Sequence, residues 1–126
     1  MPRFFLIVTA LSGFLVVALG AFGAHALGDI FSPYQQSIWN KAVNYQMFHT
    51  AALGLVAVLA LNSPDRSLLF AGRFFSIGIV LFSGSLYILA LTGIRKLGIV
   101  TPFGGVAFLL GWFALFCYGF KIHSNE

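Results

Sequence analysis

The chain has 126 residues, a formal net charge of +4, and 60% hydrophobic residues. A water-soluble domain this small cannot bury so much apolar surface, which excludes an ordinary soluble globular fold. The basic residues lie between or just inside long apolar blocks, so they point to anionic lipid head groups and not to nucleic acid. Cys117 is the only cysteine, which excludes an intrachain disulfide and a cysteine-based metal site.

The first apolar block runs from about Phe4 to Ala26. Arg3 followed by this run and by Ala24-His25-Ala26 imitates a signal peptide with its cleavage site. The uncharged run is too long for a signal core and long enough to span, so an uncleaved helix is expected. The second span is expected at about Lys41 to Leu61. Ser32-Pro33 places a hydroxyl at an N-cap and a proline at the first helical position. A helix from Pro33 to Leu61 measures about 43 Å, against a hydrocarbon core of about 30 Å. The stretch before Lys41 is therefore expected to be a short interfacial helical extension, with Trp39 among the head groups.

The third span is expected at about Leu68 to Thr92 and the fourth at about Thr101 to Phe120. Ser63-Pro64 and Thr101-Pro102 repeat the hydroxyl–proline start. Arg73 falls in the early turns of the third helix, where it can snorkel to lipid phosphates. The expected fold is an all-α integral membrane protein, a single domain over residues 1–126 with four transmembrane helices in a compact bundle. Four spans put both termini on one side, with Arg3, Arg66, Arg73 and Lys121; the other side carries Lys41, Arg95 and Lys96. The positive-inside rule then favours cytoplasmic termini.

Membrane helices associate through close packing and interhelical hydrogen bonds, because lipid is as apolar as leucine. At 100° per residue, Gly13, Gly20 and Ala24 share a face of the first helix with Thr9. Ala107 and Gly111 share a face of the fourth, with Gly104 close by, and Gly84 lies in the third. These are expected helix-packing positions. The second helix carries the polar content: Gln46 and His49 are neighbours on its surface. By helical rise, Ser83, Ser85 and Tyr87 lie at similar depths, and His25 is on the same membrane side. His25, Gln46, His49, Ser83, Ser85 and Tyr87 thus form a candidate polar cluster in one leaflet. Such residues are either interhelical glue or a functional site.

Four segments appear in order: "GAFGAHAL" (Gly20–Leu27), "AVNYQMFHTAAL" (Ala42–Leu53), "FSGSLYILALTG" (Phe82–Gly93) and "TPFGGVAFLLGW" (Thr101–Trp112). With them the chain resembles the domain-of-unknown-function family 423, small bacterial inner-membrane proteins also catalogued as uncharacterised protein family 0382. The vertebrate transmembrane protein 256 looks like a distant relative. The resemblance implies a four-helix integral protein of a bacterial plasma membrane. It brings no established activity.

Three readings of different kinds follow. The first is a structural or accessory bundle that self-associates or packs with a membrane partner. The second is an oligomeric transporter or channel for a small solute or anion, lined by the polar cluster. No Asp or Glu lies in any span, which argues against proton coupling through an intramembrane carboxylate. The third places haem between His25 and His49, and is disfavoured by their different depths and directions. No cofactor is otherwise expected. Catalysis finds little support: Ser83 or Ser85 beside His49 imitates a nucleophile and base but lacks an orienting third group, and no metal-binding spacing is present.

Overall fold

The computed structural model describes residues 1–124. Helix α1 covers Pro2–His25 and α2 covers Pro33–Asn62. The third crossing is built from α3 (Arg66–Gly78), a π-helical turn (Ile79–Gly84) and α4 (Ser85–Thr92). A short 3-10 turn (Arg95–Ile99) leads into α5 (Thr101–Ser124). The chain thus has four helical crossings long and apolar enough to traverse a bilayer, and it is an all-helical membrane protein.

The helix ends have identifiable causes. At α2, the Ser32 hydroxyl accepts from the Gln35 N–H while the Gln35 side chain accepts from the Ser32 N–H, a reciprocal capping box. Pro33 takes the first helical position. The expected cap at Ser63-Pro64 is displaced: Asp65 is the N-cap of α3, its carboxylate accepting from the Ser67 N–H at 2.7 Å. The carboxylate meets the N-terminal dipole there as well. Thr101 opens α5, but its hydroxyl is engaged by Leu97 O at 3.5 Å and Ser85 Oγ at 2.6 Å. Gly93 ends α4 at φ 71°, donating its N–H to Leu89 O at 2.8 Å. Only glycine enters that left-handed region at little cost.

The helices do not surround a common axis equally. α1 packs chiefly on α2, and α5 on α3 and the π turn, while α1 and α5 have no substantial contact. Within the apolar windows, 44% of each of the two middle crossings is buried, against 17% for α1 and 22% for α5. α2 and the third crossing are therefore the centre, and α1 and α5 are flanks with lipid-facing outer surfaces. One apolar core, with Phe5, Leu53, Val56, Leu68 and Phe75, fills the half near Met1. A second, around Leu27, Trp39 and Ala90, fills the opposite half.

Four glycines in this bundle seat aromatic rings. A Cβ at Gly72 would strike the Phe5 ring, at Gly23 the Trp39 ring, at Gly78 the Phe108 ring, and at Gly111 the Phe75 ring. Gly104 is different: it lies against the backbone of Phe82, a true close approach of two main chains. Ala107 is buried beside it. A Cβ at Gly13 or Gly20 would make only ordinary contacts, with Thr50 at 3.9 Å and Val43 at 3.5 Å respectively. Two packing expectations are corrected. Ala24 is exposed, because the buried face of α1 is Phe5, Ser12, Val16 and Gly23, rotated about 70° from the expected stripe. A Cβ at Gly84 would meet nothing within 4 Å, because its neighbours Ser83 and Ser85 are the ones that face the other helices.

Trp39 is likewise not at the head groups. It is 2% exposed, and its indole N–H donates to Leu19 O at 2.9 Å. Gly23 leaves the room for the ring against α1, and Tyr87 meets it edge-on at 4.7 Å. Arg73 does face outward, above an apolar groove that includes Phe4, Ile77 and Val80.

Candidate functional site

The polar face of α2 is anchored by two other helices. The Tyr87 hydroxyl donates to Gln46 Oε1 at 2.6 Å. Gln46 Nε2 donates to Ser12 Oγ at 3.1 Å and, more weakly, to Ser12 O at 3.4 Å. Ser12 Oγ shares a 2.6 Å hydrogen bond with Thr50 Oγ1. Both ends of the Gln46 amide are therefore used, and the side chain is only 4% exposed. The network runs α4–α2–α1, so it fixes three helices in one register. Sequence reasoning brought Gln46 and Tyr87 to one depth and put Thr50 on the same face of α2, but did not single out Ser12. Ser12 is one small residue in an apolar helix, and its meaning comes from its partner.

His49 belongs to a different interface. Its Nδ1 lies 2.8 Å from Tyr45 O, one turn back on α2. Its Nε2 accepts from the Trp112 indole N–H at 3.0 Å. These two bonds assign the proton to Nδ1 and leave the imidazole neutral, since a doubly protonated ring cannot accept from an indole. The ring stacks on Phe108 with centroids 3.5 Å apart and planes 8° from parallel. Phe48 stands edge-on to it at 5.1 Å. Gln46 and His49 are neighbours in sequence, yet one turns towards α1 and the other towards α5.

The serines are separate again. Ser83 donates to Ala42 O at 2.8 Å, tying the π turn to α2. Ser85 is bound to Phe82 O at 2.9 Å and to Thr101, tying α4 to the start of α5. Neither is hydrogen-bonded to His49, so no nucleophile–base pair forms. His25 is exposed in the last turn of α1. It points about 160° from that helix's buried face, and among the described residues no hydrogen bond joins it to the cluster. His25 and His49 thus do not share a space for haem, and both His49 nitrogens are already bonded within the protein. Among the described residues no group of three His, Cys, Asp or Glu could hold a metal.

A groove of about 380 Å³ opens laterally between α2 and α5. Phe48, His49, Phe108 and Trp112 wall it, and Asn44 and Tyr45 stand at one end. Trp112 was missed from sequence because it meets His49 only across the α2–α5 interface, which spacing along one helix does not reveal. Outside the spans, Lys121 reaches Asp65 at 3.1 Å. Partial burial raises the Asp65 carboxyl, but the Ser67 N–H and the Lys121 ammonium outweigh it and hold it below its ordinary value.

A family model described as "Protein of unknown function (DUF423)" matches residues 19–105. A UPF0382 membrane protein of Staphylococcus haemolyticus is 45% identical over 119 residues, covering 94% of this chain and 97% of its own. The UPF0382 membrane protein YwdK of Bacillus subtilis is 49% identical, covering 87% of this chain and 90% of its own. The UPF0382 inner membrane protein YgdD of Escherichia coli is 46% identical, with 87% and 84% covered. No solved structure matches. The four motifs, the four crossings and these relatives agree: the chain belongs to the DUF423 (UPF0382) family of small membrane proteins.

Proposed function

We propose that the protein is a structural or accessory membrane bundle that associates with a second copy or with a membrane partner. One observation carries the reading. Ser12, Gln46, His49, Thr50, Ser83 and Ser85 are buried, and each is hydrogen-bonded within the protein. Polar groups spent on one another lock helix register; a conduction path needs such groups turned to a passing solute. The outer faces of α1 and α5 supply the surface for association. Cross-linking in native membranes is expected to give one discrete oligomer or one partner adduct. A monomer at all cross-linker concentrations would overturn the proposal.

The membrane is a bacterial plasma membrane in this reading, as the name of the Escherichia coli relative supports. The termini are placed in the cytoplasm on the balance of Arg3, Arg66, Arg73 and Lys121 against Lys41, Arg95 and Lys96. A fluorescent-protein fusion at the C-terminus should then fluoresce, and an alkaline phosphatase fusion there should be inactive. The reverse pair of results refutes the orientation.

A further inference from the structure

The groove between α2 and α5 adjoins a second cleft that extends along α2 towards Pro33. Asn44 and Tyr45 wall it, and the same two residues wall the second, shallower cleft of about 580 Å³ with Gln36, Ser37, Asn40 and Lys41. The two form one path with a polar upper part and an aromatic lower part. From Pro33 to His49 the path follows α2 for about 24 Å. Half a hydrocarbon core plus one head-group layer measures about 20–22 Å. The cleft therefore has the length and the polarity gradient of one leaflet's lipid.

Gln36 Nε2 donates to Asn40 Oδ1 at 3.1 Å, but three further polar groups of the cleft are open. Elsewhere on α2 the buried polar side chains are paired, but Asn44 is exposed within the span and its amide makes no hydrogen bond among the described residues. An amide facing hydrocarbon is costly unless something hydrogen-bonds it. Lys41 is exposed one turn above and makes no ion pair among the described residues. Gln36 Oε1, at the upper end, is shielded and has no hydrogen-bond donor among the described residues. At the lower end, Phe48 and Leu109 remain 59% and 70% exposed beside the groove.

We propose that this cleft is a binding site for a single anionic phospholipid. The phosphate sits at the Lys41 ammonium, the glycerol ester carbonyl accepts from the Asn44 amide, and one acyl chain lies along Phe48, Phe108 and Trp112. The site is independent of whether the bundle associates with another protein.

The test is native mass spectrometry of the whole protein in mild detergent. Palmitoyl-oleoyl phosphatidylglycerol and phosphatidylcholine are supplied at equal concentration. The wild type should retain one phosphatidylglycerol roughly five-fold over phosphatidylcholine, the factor expected of one cation near the surface. Lys41→Glu, at an exposed position, should abolish that preference. Gly105→Leu should lower retention of both lipids, since a Cβ there has open space (nearest atom 4.0 Å, on Phe82) and projects into the groove. Equal retention of both lipids by the wild type overturns the site. So does selectivity that follows Arg73→Ala instead of Lys41→Glu, or a lipid-free dimer in which a second copy fills the cleft.

Discussion

His49 holds its place by accepting a hydrogen bond, and this sets how its loss is felt. Replacing it with leucine leaves the Trp112 N–H in an apolar wall with no acceptor. An unmet buried donor costs about 1–3 kcal/mol. His49→Leu is therefore expected to lower thermal stability in detergent by that amount without unfolding the bundle. Trp112→Phe in the same chain removes the orphaned donor, so the double variant should recover part of the loss. Additive losses would show that the two rings do not act as a pair. The pairing was hidden from sequence reasoning for a simple reason. Helical spacing puts residues three apart on one surface, but a 60° difference in direction separates two interfaces when a helix lies at the centre of a bundle.

For whole helices, the aromatic seats matter as much as the polar bonds. Phe75 occupies the space that a side chain at Gly111 would need, and Trp39 does the same at Gly23. Gly111→Leu and Gly23→Val should each cost about 1–3 kcal/mol by overpacking, read as a lower melting temperature in detergent. Gly84→Ala, where a Cβ meets nothing, should change little. Equal behaviour of all three would sink the seat assignment. The four crossings and the Ser32 N-cap with Pro33 behind it were readable from sequence. The face of α1 was not. α1 is apolar all round, so hydropathy has no contrast from which to read a buried side. The seat at Gly23 is set by Trp39, which lies on another helix. The π turn at Ile79–Gly84 left no signal either, since its residues are ordinary apolar and small ones.

At the scale of the molecule, the two ends of the chain's middle and last helices are joined by Asp65 and Lys121. Because the Asp65 carboxyl is held below its ordinary value, its contribution is present above the usual carboxylate range near pH 4. It is lost as the pH falls through the lowered folded value. Asp65→Asn keeps a cap for α3 but loses the ion pair, so it should flatten the acid limb of stability. Asp65→Ala also removes the cap and should cost about 1 kcal/mol more at neutral pH. An unchanged acid limb in Asp65→Asn refutes the assignment. The central position of α2 has a further consequence, for how the chain enters the bilayer. α2 is the least apolar of the four crossings, with a mean hydropathy of 1.3 against 2.4 for α1. The helix that most needs help in leaving water is preceded by one that enters readily, and that forerunner carries Ser12, the hydroxyl that meets Gln46 and Thr50. Membrane insertion of the second segment should therefore depend on the first: the early helix is a receiver for the polar cargo of the next.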